Sequence, residues 1–159
     1  MRKIKRKKKI YYPDPKYQDI LVSRFINHLM KNGKKNLAYK IFYKAMDKID
    51  DLNNKKEKKS SLEIWKKSLK NLMPNVEIRS RRMGGSNIQI PVPLSYENQI
   101  TKAIKLLINS ATLRKEKTMS YKLAYEILDA FQEQGEAIKR KENIHKMAEA
   151  NKAFSHFRF

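Results

Sequence analysis

The sequence predicts a mainly α protein: a six-helix domain with one β-hairpin arm inserted between helices three and four. Three observations predict it. Apolar residues recur at helical spacing in successive stretches of the chain. Breakers and polar loops punctuate those stretches at Gly33, residues 53–59, Pro74, residues 114–118 and Gly135. Between the third and fourth stretches, two short alternating runs flank a Gly84-Gly85 pair, from Val76 to Val92, and this is the one hairpin signal.

Residues 1–12 (MRKIKRKKKIYY) carry seven bases in the first nine positions and no periodic apolar face, so they read as a basic N-terminal arm. Asp14-Pro15 is expected to open the first helix, as cap and first helical residue. Tyr17, Ile20, Leu21, Phe25, Leu29 and Met30 form its apolar face, and Gly33 is expected to stop it. Asn36 is a candidate cap for the second helix, with Leu37, Ala38, Ile41, Phe42, Ala45, Met46 and Ile49 as its stripe. Ser60 and Glu63 have capping-box spacing ahead of a third, short helix lined by Leu62, Trp65, Leu69 and Leu72.

In the hairpin, Val76, Ile78 and Ser80 alternate with Glu77, Arg79 and Arg81, while Ile88, Ile90 and Val92 share a face of the second strand. A two-stranded ribbon is marginal alone. Its base is therefore expected to pack on the helices and its basic end to project. Ser95 is a candidate cap for the fourth helix, with Ile100, Ala103, Ile104, Leu107, Ile108 and Ala111 inward. Thr118 caps the fifth, whose face is Met119, Leu123, Ala124, Ile127, Leu128 and Phe131, and Gly135 is expected to close it. The sixth segment, Glu136 to about Ala153, has sparse apolar positions among bases, so it needs an outside partner or many side-chain pairs. The domain reading is an arm at 1–12, a helical domain at 13–153 with the hairpin at 75–93, and a tail at 154–159 in which Phe, His and Arg interleave. Aromatics in such company suit base or ribose packing.

Net charge is +21 over 159 residues. Such an excess predicts a large polyanionic partner, with nucleic acid ahead of an anionic membrane. Of 28 Lys and nine Arg, three Arg fall together at Arg79, Arg81 and Arg82. A guanidinium offers a planar donor fork that also stacks on bases, which an ammonium does not. Cysteine is absent, so disulfides and Cys-based zinc sites are excluded. No apolar run approaches the roughly 20 residues of a membrane span, and no apolar core follows the basic start. His28, His145 and His156 lack metal-ligand spacing, and no nucleophile–base–acid set suggests itself. The expectation is a protein without catalysis, cofactor, metal, membrane contact or obligate homo-oligomer.

Three segments carry a family pattern. The first is Asp19-x-Leu21, Phe25-Ile26, Gly33-Lys34-Lys35, then Ile41-Phe42 and Ala45. The second is Ser80-Arg81-Arg82-Met83-Gly84-Gly85-Ser86 with Gln89-Ile90-Pro91-Val92. The third runs His145-Lys146-Met147-Ala148-Glu149-Ala150-Asn151-Lys152-Ala153-Phe154. Together they resemble the small-subunit ribosomal protein seven family, and the Pro13-Asp14-Pro15-Lys16 entry fits its bacterial and organellar type. The resemblance implies a primary binder of small-subunit ribosomal RNA that contacts the 3′ major domain and nucleates head assembly. It also implies a place at the subunit interface near the messenger path and exit-site transfer RNA, with small-subunit proteins nine and eleven as neighbours. The Ser155-His156-Phe157-Arg158-Phe159 end, the Leu37-Ala38-Tyr39 run and the Lys- and Asn-rich composition look plastid-like, so a chloroplast ribosome is expected, with an A+T-rich bacterium as the alternative.

Clustering of bases at a terminus, at turns and on one helix makes the candidate ribosomal RNA contacts Arg2, Lys3, Lys5, Arg6, Lys7, Lys8, Lys9, Lys34, Lys35, Arg114, Lys115, Lys117, Lys139, Arg140, Lys141, His145 and Lys146. On the family resemblance, Arg79, Arg81, Arg82, Met83, Gly84 and Gly85 lie near exit-site transfer RNA and messenger. Two other classes compete: a helical DNA-binding protein with a basic arm and β-ribbon, and a cationic membrane-surface protein. The second would need an exposed apolar face, and the apolar stripes here are required for a core.

Overall fold

The computed structural model describes residues 11–53 and 60–157. Among the described residues six helices follow one another as α1 (Ile20–Leu29), α2 (Lys35–Asn53), α3 (Ser61–Leu72), α4 (Tyr96–Leu113), α5 (Met119–Phe131) and α6 (Glu136–Ala150). Strands β1 (Val76–Met83) and β2 (Ser86–Pro93) form one antiparallel hairpin between α3 and α4. A short 3-10 helix, Lys152–Phe157, follows α6. The predicted class therefore holds: mainly helical, with a two-stranded arm at the predicted point. The chain divides into two compact units, Met1–Lys40 and Ile41–Phe159.

In the first unit the Asp14 carboxylate accepts from the backbone N–H of Lys16 and Tyr17 at 3.1 and 3.0 Å. That makes a capped turn, not the start of the helix. Gln18 follows with φ of +49°, which a right-handed helix cannot hold. Asp19 then caps α1, accepting from Leu21 N–H at 2.7 Å. Val22, Phe25, Ile26 and Leu29 are buried, while Ile20, expected inward, is exposed. The helix ends at Leu29, ahead of Gly33. Asn32 and Gly33, both at positive φ, form the turn into α2. Leu37, placed on the predicted stripe, sits in the first turn of α2 and is exposed.

The second unit has a contiguous core. It draws Phe42, Met46 and Ile49 from α2, Trp65 and Leu69 from α3, Ile104 and Leu107 from α4, and Leu123 and Ile127 from α5. Trp65 meets the edge of Phe42 at 5.4 Å between centroids. Helix α3 packs on α4 and α5, α4 packs on α5, and α6 touches all three and also β1. Ser60 caps α3, accepting from Glu63 N–H at 3.3 Å. Asp50 at the end of α2 takes both the N–H and the hydroxyl of Ser61, at 3.1 and 2.9 Å, so it joins α2 to α3. Ser95 caps α4 through its carbonyl alone, with no side-chain bond. Thr118 caps α5 as expected.

Gly135 does not close α5. It starts α6, at φ +92°, and a Cβ there would stand 3.0 Å from Asp129 Cβ. The hairpin pairs Val76 with Pro93 and Met83 with Ser86, leaving Gly84 and Gly85 as a two-residue turn with φ of +54° and +90°. Positive φ at both central positions is what the preferred two-residue hairpin turn requires. Prolines 91 and 93 are tolerated because both strands of a two-stranded ribbon have an open edge.

Candidate nucleic-acid interface

The register decides what the hairpin presents. Residues directly opposite share a face. Arg79 opposes Ile90 and Arg81 opposes Ile88, so these two arginines stand over the apolar residues of β2. Arg82 belongs to the other face with Asn87, beside Ser80 and Gln89, all exposed. Exposure also divides the arm along its length. Val76, Glu77, Ile78, Pro91 and Val92 are half-buried and Ile90 is buried, whereas Arg79 to Arg82 and Gly84 to Asn87 are exposed. The base is held. Lys102 on α4 pairs with Glu77 at 2.7 Å, and Leu94 N–H bonds to the Asn75 carbonyl at 3.0 Å. The arm thus meets both expectations, a packed base and a projecting basic end.

The C-terminal 3-10 helix lies against β2 and α6. Its rings do not dock in the core: Phe154 and His156 are exposed and Phe157 is half-buried. Phe154 and Phe157 stack at 6.4 Å with planes 27° apart, and His156 lies 3.9 Å from Phe157. Arg81 Nη1 donates to the Phe157 carbonyl at 3.4 Å, so the arginine face of the arm meets this helix.

Among the other candidate contacts, Lys34 and Lys35 are exposed at the α1–α2 turn, with Lys35 over the Tyr39 ring at 5.6 Å. Lys115 and Lys117 are exposed between α4 and α5. Arg114 is different. Its guanidinium bonds Asp129 from both terminal nitrogens at 2.8 and 2.9 Å, Glu116 from Nε at 3.2 Å, and the fully buried Glu126 from Nη1. Burial acts to lower its pKa, but the hydrogen bonds to Glu126, Asp129 and Glu116 outweigh it and hold the guanidinium well above its usual range. Glu116 sits below the usual carboxylate range, chiefly through its own backbone N–H, against burial and with help from Arg114. The other Glu126 oxygen accepts from Ala137 N–H at 2.9 Å in the first turn of α6. One buried carboxylate therefore ties α4, α5 and α6 together. Arg114 was grouped with its basic neighbours by sequence, yet its donors face inward.

On α6, Lys139 and Lys146 are exposed. Arg140 pairs with Glu136 at 3.2 Å. Lys141 donates to the Asn71 carbonyl at the end of α3, at 2.7 Å. His145 Nε2 accepts from Asn75 N–H at 3.3 Å, beside the hairpin base. Lys141, with Lys67 and Lys70 of α3, lines a cleft of about 550 Å³. Reading α3 for its apolar stripe alone passes over Lys67 and Lys70. Glu126 was legible in principle, since a carboxylate among Leu123, Ala124, Ile127 and Ala130 demands a cation when that stripe is buried. Arg2 to Lys9 lie outside the described residues. Among the described residues no group of His, Asp and Glu could hold a metal ion, and no helix is long and apolar enough to cross a membrane.

A helical body with exposed bases and a projecting arginine hairpin defines a basic binding protein built around an arm. The family model described as Ribosomal protein S7p/S5e matches residues 1–152, and the chain belongs to that family. It is 58% identical over 159 residues to "Small ribosomal subunit protein uS7" of Karelsulcia muelleri, covering all of both chains. It is 52% identical over 158 residues to the protein of that name from Amoebophilus asiaticus, with 99% of each chain covered, and 53% identical over 159 residues to that of Porphyromonas gingivalis, with full coverage. The chain is therefore a ribosomal protein of the small subunit, with a structural role in translation and ribosomal RNA and other ribosomal proteins as its partners. The DNA-binding alternative falls with this assignment. These relatives are bacterial, and the plastid expectation finds no support in them. Its grounds were the Ser155–Phe159 end, the Leu37-Ala38-Tyr39 run and a Lys- and Asn-rich composition that an A+T-rich bacterial genome produces equally well.

Proposed function

We infer that this protein binds small-subunit ribosomal RNA directly, in the 3′ major domain, and nucleates assembly of the subunit head in a bacterial cytoplasm. The observation that carries this reading is the sorting of its charge. Lys34, Lys35, Lys115, Lys117, Lys139 and Lys146 are exposed, while Arg114 is spent internally. Exposed ammoniums at turns and along one helix suit phosphates, which position a protein without reading sequence. The residue 1–12 arm adds the densest charge in the chain.

The hairpin serves a second contact in this account. Arg79, Arg81, Arg82, Met83 and the Gly84-Gly85 tip stand beyond the packed base, suited to ligands that pass through the ribosome: exit-site transfer RNA and messenger. Family resemblance supports that location and supports small-subunit proteins nine and eleven as neighbours. The test is reconstitution. The full chain should bind an isolated 3′ major domain fragment without other proteins and sediment with the small subunit. Retention only after other proteins are added would overturn the primary-binder reading.

A further inference from the structure

We propose that the C-terminal 3-10 helix and the arginine face of the hairpin together form a stacking site for an unpaired RNA base. This rests on the RNA-binding reading above and adds a site made from two elements distant in sequence. The rings of Phe154 and Phe157 are nearly parallel, and Phe154 is 37% exposed although apolar. His156 extends the aromatic surface. Arg81 reaches the Phe157 carbonyl, and Arg79 stands exposed two residues away on the same face of β1.

The chemistry is complementary to one ligand class. An exposed phenyl face favours another flat ring, and guanidiniums beside it favour the phosphate joined to that ring. A protein partner with an apolar patch would bury the rings but leave Arg79 facing apolar surface unpaired. A paired duplex would hide its base faces. An unpaired nucleotide satisfies ring and cation together.

The test uses a short RNA oligonucleotide carrying 2-aminopurine, with an otherwise identical abasic strand as control. The full chain should quench the fluorescence. The Phe154→Ala/Phe157→Ala variant should bind the 2-aminopurine strand about tenfold more weakly, equivalent to about 1.4 kcal/mol, and the abasic strand equally well. Phe157→Leu, which keeps apolar bulk against β2, should lose quenching too. Hydroxyl-radical oxidation of the two rings then identifies the source. Protection in bare subunits assigns the base to ribosomal RNA, protection only with messenger assigns it to messenger, and protection only with deacylated transfer RNA assigns it to that. Unquenched fluorescence with the wild-type chain overturns the proposal, and protection in subunits without quenching shows that a neighbouring protein covers the rings instead. Failure of the chain to enter subunits would count against the ribosomal RNA reading, while the oligonucleotide assay would still decide the stacking site.

Discussion

Arg114 and Glu126 form an ion pair in which the carboxylate is fully buried, and the same carboxylate holds the first turn of α6 through Ala137 N–H. A partner removed from such a pair leaves an uncompensated buried charge, at a cost of about 3–5 kcal/mol. Arg114→Leu should therefore lower stability by about that amount in urea unfolding. Arg114→Lys should lose less but still measurably, since one ammonium cannot reproduce the fork. The guanidinium's raised pKa means its contribution is complete below the unfolded value and lost only as pH climbs through the higher folded one. Through the neutral range it stays constant.

Glu116 gives the opposite sign. Its folded pKa lies below the ordinary value of 4.5, so its contribution is present above that value and fades as pH falls through the folded pKa. Unfolding followed below pH 4.5 should show a shallower acid dependence for Glu116→Gln than for the wild type.

Gly135→Ala should destabilise the protein by about 1–3 kcal/mol, because the position combines a left-handed φ with a Cβ clash on Asp129. At Gly84 and Gly85 a Cβ meets nothing within 4 Å, so only conformational strain remains. Alanine there should loosen the tip, seen as faster amide exchange at Arg82 and Ser86, with the global melting temperature nearly unchanged.

Much of this fold was readable from residue order. The α4 stripe is buried throughout, as are Trp65, Leu69 and Leu72 of α3 and Leu123, Ala124 and Ile127 of α5, while Leu62, Met119, Leu128 and Phe131 are half-buried; the Gly84-Gly85 tip folds as its alternating flanks demand. Errors gathered where one local signal has two meanings. Asp-Pro starts a turn as readily as a helix, and Gln18 decided between them. Gly135 can end a helix or begin one. Charge was the less legible layer. Whether Arg114 faces water depends on Glu126 and Asp129, 12 and 15 positions away, and on how α5 turns back across α4. The pairing of hairpin arginines with Ile88 and Ile90 depends on register, which alternation within each strand does not supply. The plastid expectation rested on two short stretches, Leu37-Ala38-Tyr39 and Ser155–Phe159, and on composition, which is a property of the genome and not of the fold.

The arm and the body should separate functionally. Deleting Arg82 to Asn87 with a short Gly link removes the exposed end and leaves the Lys102–Glu77 contact at the base. The variant should fold, keep most affinity for the 3′ major domain fragment, and alter exit-site occupancy or frame maintenance in assembled ribosomes. Loss of binding to the isolated fragment would contradict this division.

The central claim is that affinity comes from phosphate neutralisation by exposed bases spread over several surfaces. It is tested most directly by measuring affinity for the 3′ major domain fragment against salt. About ten phosphate contacts predict a log–log slope of roughly −7 to −9. Lys115→Ala/Lys117→Ala should reduce its magnitude by about 1.4–1.8, while Arg114→Gln, measured where the variant stays folded, should leave it unchanged. A flat salt response, or a slope that falls with Arg114→Gln and not with the two lysines, would contradict the account.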